Sequence, residues 1–318
     1  MKRIKTFIYI LGVVCFLGGV LISNNTLNVF ASSYDSSVNY DKGGFKTNCG
    51  IVLNQKEYNV LAEVFSDEMI AAMPKATLQR YRKMDKIIVY DEQTEYVKVD
   101  EVLDPLTQKL RSYSETIVSE QEAKRVLNLP STCSSNYSTA MKKITIQMVS
   151  GALPEYQTVT LKCEWLKLPK TRSFDVIGIR PGNNCQFYST SSDPNFYGVQ
   201  VTNDKTYNYG YGNGNVKISS SSTISGVRTM NSSSGIGISM NLANKASKIR
   251  CEMAVTLRMK TKSLKVYGSY QHAQQNVSLA DSHKYSFKDS GYGKVFKFNS
   301  SVQSKYDNTT GVDTNYAP

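Results

Sequence analysis

The stretch IRCEMAVTLRMK, residues 249–260, alternates apolar and polar side chains for twelve positions. A period of two is typical of a β-strand with one buried face. The apolar face of this stretch carries Ile249, Cys251, Met253, Val255, Leu257 and Met259. We expect Ile249, Met253, Val255 and Leu257 to lie in a core together with Trp165.

Similar short stretches recur after residue 136, in TVTLKCEWLKLP, GIGISMNL, SLKVYGSYQHA and KVFKFNSSV. Gly, Ser and Asn separate them, and no long helical pattern intervenes that could carry a crossover to a parallel strand. Short strands at regular spacing predict an antiparallel, jelly-roll-like β-sandwich over residues 136–318.

Residues 32–135 have a different pattern, in which Tyr58, Leu61 and Phe65 recur at helical spacing. Ser66 is placed to begin a second short helix, which Pro74 interrupts or restarts. KIIVYDEQTEYVKV predicts a small hairpin, and SEQEAKRVLNLP, residues 119–130, opens with a capping box. We therefore predict an α+β protein with a small α-rich lobe ahead of the sandwich.

Residues 1–31 resemble a secretory signal peptide. A basic start precedes an apolar run from Phe7 to Ile22, and Val29 and Ala31 form an A-x-A-like cleavage site. The run is shorter than the roughly 18 residues of a spanning helix. We expect a secreted, extracellular or envelope-associated protein; the alternative is an uncleaved N-terminal membrane anchor.

Charge divides the remaining chain. Residues 32–130 hold 13 Lys/Arg against 16 Asp/Glu, a net charge of −3, whereas residues 131–318 hold 22 against 10, a net charge of +12. The whole basic excess of the mature chain thus belongs to the predicted β domain. Such an asymmetry indicates an anionic partner.

The polar face of residues 249–260 carries Arg250, Arg258 and Lys260, and Lys265 follows on the next predicted strand. If these two strands form a hairpin, the four cations share one outward face. Like charges side by side on a sheet reduce stability unless a partner compensates them. We therefore predict that Arg250, Arg258, Lys260 and Lys265 bind an anionic partner.

Residues 189–248 are rich in Ser, Asn, Gly and Tyr. They are compatible with long polar hairpins of a sandwich, with a membrane-inserting β segment, or with an aromatic binding loop. The last interpretation rests on Tyr207, Tyr209 and Tyr211, because Tyr among Ser, Gly and Asn is typical of adaptable recognition loops.

Five cysteines follow the predicted cleavage site, and export permits disulfides without requiring them. Cys163 and Cys251 alternate with apolar residues, so we expect them to face one core, and to pair if their strands are adjacent. Cys49 and Cys133 bracket the α-rich lobe and are the candidates for a second bridge, which leaves Cys185 unpaired.

Catalytic patterns are missing from the sequence. His272 and His283 lie eleven residues apart, and His272 shares its parity with apolar residues, so we expect a half-buried strand histidine. The sequence has no nucleophile elbow, phosphate loop or zinc motif, and DNTTGVD, residues 307–313, does not match the calcium loop. We predict no catalytic residue, no cofactor and no metal site.

The segments KCEWLKLPKTRSFDVIGIRPG, LADSHKYSFKDSGYGKVFKFNSSV and FSDEMI resemble exported β-rich proteins of low-GC Gram-positive bacteria. That group is uncharacterised, so the resemblance implies an exported β-rich fold and no activity or site.

Together these patterns favour a secreted, non-enzymatic binding or adhesion protein. Its partner would be an anionic cell-wall polymer, a polysaccharide or a lipid surface, and we expect no nucleic acid outside the cell. The alternatives are a β-pore-forming, toxin-like protein and, third, a secreted hydrolase.

Overall fold

The computed structural model describes residues 33–35, 43–128, 136–151, 155–188, 196–203, 205–209, 223–224, 227–229, 235–242, 244–261, 263–288, 295–308 and 311–316. Contacts divide the chain into Met1–Phe30 and Ala31–Pro318, and every described residue belongs to the second unit. The predicted signal peptide lies outside the described residues. Within them, no helix combines the length and apolar character needed to cross a membrane.

The larger sheet is antiparallel and contains strands from both predicted regions. Across the sheet its order is β1 (Ser33–Asp35), β11 (Lys205–Tyr209), β10 (Phe196–Thr202), β15 (Ile249–Met259), β7 (Tyr156–Lys167), β6 (Tyr137–Ser150), β4 (Val89–Leu103) and β5 (Leu110–Val118). A short strand, β9 (Cys185–Phe187), also pairs with β15.

The smaller sheet is antiparallel too. Its order is β12 (Thr223–Ile224), β13 (Val227–Thr229), β14 (Ile236–Asn241), β8 (Phe174–Pro181), β16 (Leu264–Gln271) and β19 (Val312–Tyr316). Two small ribbons complete the set: β2 (Phe45–Lys46) with β3 (Val52–Leu53), and β17 (Tyr285–Phe287) with β18 (Phe296–Phe298).

The two large sheets face each other across the main hydrophobic core. Inward-facing side chains of β6, β7 and β15 meet those of β8, β14 and β16. The residues predicted for the core from the sequence are all buried there: Trp165, Ile249, Met253, Val255 and Leu257. The predicted α+β class with an antiparallel sandwich is therefore confirmed.

Helices cover the outer face of the larger sheet. Three follow one another: α1 (Gln55–Ala62), α2 (Asp67–Ala72) and α3 (Lys75–Tyr81). Asn54 caps α1, Ser66 caps α2 and Pro74 precedes α3. Their apolar side chains form a second core with Val149, Val199 and other residues of the sheet. A fourth helix, α4 (Glu120–Asn128), packs beside β4 and β6.

An aromatic layer covers the outer face of the smaller sheet. Rings of the β17–β18 ribbon pack there with the short helices α5 (Leu279–Ser282) and α6 (Ser300–Gln303). Gly178 and Gly237 lie opposite each other in β8 and β14. A Cβ on either glycine would come within 2.3 Å of an atom of Phe296 or Tyr285, so the glycines let these rings lie directly on the backbone.

Two details differ from the prediction. KIIVYDEQTEYVKV does not form a hairpin, because β4 runs unbroken from Val89 to Leu103 and keeps one neighbour on each side, β6 and β5. Since β4 and β6 are paired, the expected boundary near residue 135 falls between two neighbouring strands of one sheet.

Candidate functional site: a basic end and a buried ion cluster

The predicted hairpin of cations does not form. Strand β15 lies between β7 on one side and β10 and β9 on the other, whereas β16 pairs with β8 and β19 in the smaller sheet. Both edges of β15 are already occupied, so the chain crosses to the other sheet after Lys260. Arg250, Arg258, Lys260 and Lys265 consequently do not share one face.

Arg250 belongs to the contact between the larger sheet and the helices. Its guanidinium forms ion pairs with Glu68, in α2, and with Glu252, its neighbour on the same face of β15. Ser66 donates a hydrogen bond of 3.0 Å to Glu252. The polar face of β15 thus contacts the helical layer at this end, and Arg250 is separated from Arg258 by eight residues of extended strand, about 26 Å.

The other three predicted cations lie at one end of the sandwich. Arg258 is half exposed and lies 3.3 Å from Glu155. Lys265 Nζ lies 3.0 Å from Asp313. Lys260 is exposed, and no acidic partner lies within 4 Å of it among the residues that the structure describes.

A turn at residues 182–185 brings these side chains near a fourth cation. The turn accepts a hydrogen bond from the backbone of Lys260 and donates one to the carbonyl of Lys265. Arg180 lies two residues before the turn and is buried, with its guanidinium 4.3 Å from the centre of the Tyr267 ring. We call Arg180, Arg258, Lys260 and Lys265 the basic end.

The aromatic candidates are not a single loop. Tyr207 and Tyr209 lie in β11, which pairs with β1 and β10, and Tyr211 lies outside the described residues. Tyr207 and Tyr209 thus lie in a strand and not in a loop, because β11 pairs along β10, while their role in binding stays a prediction.

Cys163 and Cys251 are direct partners on β7 and β15, and the structure holds both as buried thiols. Burial raises the pKa of each thiol well above its usual range. Cys49 is a half-buried free thiol, and Cys133, its candidate partner, lies outside the described residues. Cys185 is buried in the turn, where burial raises its pKa to about 12.

Sequence reasoning missed a cluster of ions between the sheets. Lys142 Nζ is completely buried and lies 2.7 Å from Glu115 Oε1, in β5, and 2.7 Å from Asp307 Oδ2. Two carboxylates therefore share one ammonium. The sequence contained one indication of this cluster, because Lys142 shares the inward face of β6 with the apolar residues Ala140 and Ile144.

A second buried group adjoins this one. His272 Nδ1 lies 2.9 Å from Asp175 Oδ2, and Tyr270 donates a hydrogen bond of 2.6 Å to the same oxygen. Trp165 Nε1 donates to the Tyr270 hydroxyl, and the His272 backbone N–H donates to Asp307, which joins the two groups. We call Lys142, Glu115, Asp307, Asp175 and His272 the ion cluster.

Burial and neighbouring charges set the protonation of the cluster. Burial raises the pKa of Asp307 to about 7, and the nearby Glu115 carboxylate adds to the effect while Lys142 opposes it. Burial lowers the pKa of His272, but the Asp175 carboxylate outweighs it, so the net direction is upward. Asp307 is fully buried and shares the Lys142 ammonium with the partly buried Glu115, so Asp307 keeps its proton to a higher pH than an exposed Asp does.

The ion cluster is closed to large molecules, since Lys142, Asp175, His272 and Asp307 are all buried. A cleft of about 470 Å³ lies beside it on the surface. Five consecutive residues of the edge strand β5, residues 113–117, line this cleft with Val97, Gln274 and Asn308. Glu115 is the residue that belongs to both the cluster and the cleft.

No group of three His, Cys, Asp or Glu side chains within the described part of the chain has the arrangement of a metal site. His272 has Asp175 on one nitrogen, and its Nε2 is buried without a hydrogen-bond partner among the described residues. The prediction of a half-buried histidine thus understated its burial.

In comparisons with known proteins, no protein-family model and no curated protein matches the chain. A function must therefore be argued from the geometry described above.

Proposed function

We propose that the protein is a secreted, non-enzymatic binding protein whose basic end engages an anionic polymer or surface of the cell envelope. The observation that supports this most directly is the position of the accessible cations Arg258, Lys260 and Lys265 near one turn, which contacts the backbone of Lys260 and Lys265. The carboxylates of Glu155 and Asp313 lie among them, and Arg180 is buried, so three accessible cations, Arg258, Lys260 and Lys265, face two acids.

Exposed cations at one end of a molecule attract polyanions over about one Debye length, roughly 8 Å at physiological ionic strength. Arg258 and Lys260 are exposed, so both side chains can contact phosphate or carboxylate groups of a ligand. Arg258 would exchange its ion pair with Glu155 for such a contact. A surface salt bridge such as Arg258–Glu155 contributes about 0–1 kcal/mol, so a ligand can replace it at small cost. Arg250 is excluded from this surface by its contact with Glu68.

A triple variant tests the proposal: Arg258→Gln, Lys260→Gln and Lys265→Gln. Binding would be measured by pull-down on purified wall teichoic acid, on an acidic polysaccharide and on liposomes that contain phosphatidylglycerol. We expect at least tenfold weaker binding to one of these probes. For the parent protein, we expect binding to fall steeply between 50 and 300 mM salt.

The matched control removes three exposed cations elsewhere: Lys109→Gln, Arg111→Gln and Lys170→Gln. It has the same net charge as the triple variant, so retained binding by the control ties the effect to the basic end. Equal binding by the parent protein and the triple variant at low salt would refute the proposal. Leakage of dye from the liposomes would instead favour pore formation.

A further inference from the structure

The cleft beside β5 has a chemistry opposite to that of the basic end. Its described lining contains one acid, Glu115, and no base. Glu115 lies 2.7 Å from the Lys142 ammonium, which it shares with Asp307. An anionic ligand would face a carboxylate there, and a cationic ligand would have to compete with Lys142.

We propose that this cleft is a second binding site, which takes a short segment of a neutral glycan. The site is separate from the basic end and from any polyanion bound there. Its volume of about 470 Å³ lies within the range of about 300–1,000 Å³ that is usual for small-ligand sites.

The polar groups of the cleft match the needs of sugar hydroxyls, each of which donates one hydrogen bond and accepts others. Gln274 and Asn308 carry planar amides that offer donors and an acceptor together. Ser114 and Thr116 add hydroxyls, and Glu115 adds acceptor oxygens. A neutral, hydroxyl-rich ligand can use all of these groups without bringing a charge into the cleft.

The apolar groups of the cleft match the other surface of a sugar ring. Ile117 is an exposed hydrophobic residue, at 52%, in a strand that otherwise presents polar side chains to solvent. Tyr113 lies four residues before it on the same face of β5, with its hydroxyl donating to Glu115 at 2.9 Å. Together they provide an apolar surface for the C–H groups of a pyranose.

The framework of the cleft is held in place from within. Glu115 is fixed by Tyr113 and Lys142, and Asn308 follows Asp307, which is bound to the same ammonium. The groups that would contact a ligand therefore belong to segments already tied to the buried cluster. A preformed site loses less entropy on binding, which favours useful affinity from few hydrogen bonds.

The experiment uses the full chain with three neutral probes: maltotetraose, cellotetraose and tetra-N-acetylchitotetraose. Saturation-transfer NMR would detect contact, and isothermal titration calorimetry would give the dissociation constant. We expect at least one probe to bind, and the double variant Gln274→Ala with Asn308→Ala to bind it at least tenfold more weakly. Both substitutions truncate amides that line the cleft, outside the hydrophobic cores.

The control removes two exposed amides outside the cleft, Asn244→Ala and Gln275→Ala, and should bind the probe as the parent does. Absence of binding to all three probes, or equal affinity of the Gln274/Asn308 variant, would overturn the proposal. The same variant keeps the basic end, so its pull-down on anionic polymers should be unchanged. Failure of the glycan site and failure of the polyanion site are thereby distinguished.

Discussion

The space between the two large sheets has an apolar part and a charged part. In the apolar part, Ile146, Leu161, Met253 and Val266 pack side chain against side chain. In the charged part, the ion cluster occupies the same layer. The same strands supply the apolar part and the charged part. Strand β6, for example, contributes Lys142 to the ion cluster and Ile146, four residues later on the same face, to the apolar core.

The two parts hold the sheets together by different means. Apolar contacts are non-directional, so their contribution grows with the area removed from water, about 25 cal/mol per Å². The ion cluster contributes only when every partner is in place, because a buried charge without its partner is costly. We infer that the apolar part supplies stability, while the cluster determines that β5, β6 and the segment before β19 meet in one arrangement.

The largest effect should come from placing a charge in the apolar part. Val255 is buried and faces the core from β15. Val255→Asp would bury a carboxylate among apolar side chains of the core, and we expect the protein not to fold. Circular dichroism and gel filtration would check this. Val255→Ala should remain folded; a soluble, cooperative Val255→Asp variant would contradict the assignment of this face to the core.

The next effect concerns the charged part. Lys142→Ala leaves Glu115 and Asp307 without their ammonium, so we expect a loss of about 3–5 kcal/mol in the free energy of unfolding at pH 8. Urea denaturation would measure it. Lys142→Met combined with Asp307→Asn should recover part of the loss, since it removes a stranded charge as well. A loss below about 1 kcal/mol for Lys142→Ala would mean that the cluster is not closed to water.

The cluster also predicts the direction of a pH effect. An unfolded Asp releases its proton near pH 3.9, whereas Asp307 in the folded protein holds it up to about pH 7. The folded state therefore binds more protons between these values, and its stability falls as pH rises through this window. The raised pKa of His272 acts in the same direction above about pH 6.5.

We expect the melting temperature to fall by several degrees between pH 5 and pH 8.5, as measured by differential scanning fluorimetry. Asp307→Asn should flatten the part of the curve below pH 7. A melting temperature that rises over this range would contradict the proton count of the cluster.

The smallest effect distinguishes buried from accessible thiols. Cys163 and Cys251 are buried with raised pKa values, whereas Cys49 is half buried beside Thr47. At pH 8 a thiol reagent should modify Cys49 before Cys163 and Cys251, which should react only as the protein unfolds. Mass spectrometry of the labelled peptides would locate the sites. Rapid labelling of Cys163 or Cys251 would indicate an open core.

Local patterns predicted the sandwich well, because alternation and capping depend on neighbouring residues. They gave the inward face of β15, the cap at Ser66 and the helix that restarts after Pro74. They also placed Cys163 and Cys251 towards one core. These features need no knowledge of which strands pair.

The pairing of strands could not be obtained in the same way. Strand β15 is followed in sequence by β16, which made a hairpin the natural expectation, yet its neighbours β7 and β10 lie far away in the chain. The polar face of β15 is partly covered by the helices of residues 55–81, through contacts such as Arg250 with Glu68. The sequence of the strand alone could not show that this face meets a helix there and not solvent. The ion cluster required three distant segments, and only the inward parity of Lys142 hinted at it.

The position of β19 has a consequence for the order of folding. Contacts of this segment reach far along the chain: the Asp313 backbone N–H donates to Gln93, 220 residues earlier, and Asp307 meets Lys142 across 165 residues. Contacts of such long range make folding slow, since the chain must close large loops before they form. The smaller sheet gains its edge strand β19 only when residues 312–316 are available, so a chain that emerges N-terminus first would lack this strand until those residues arrive.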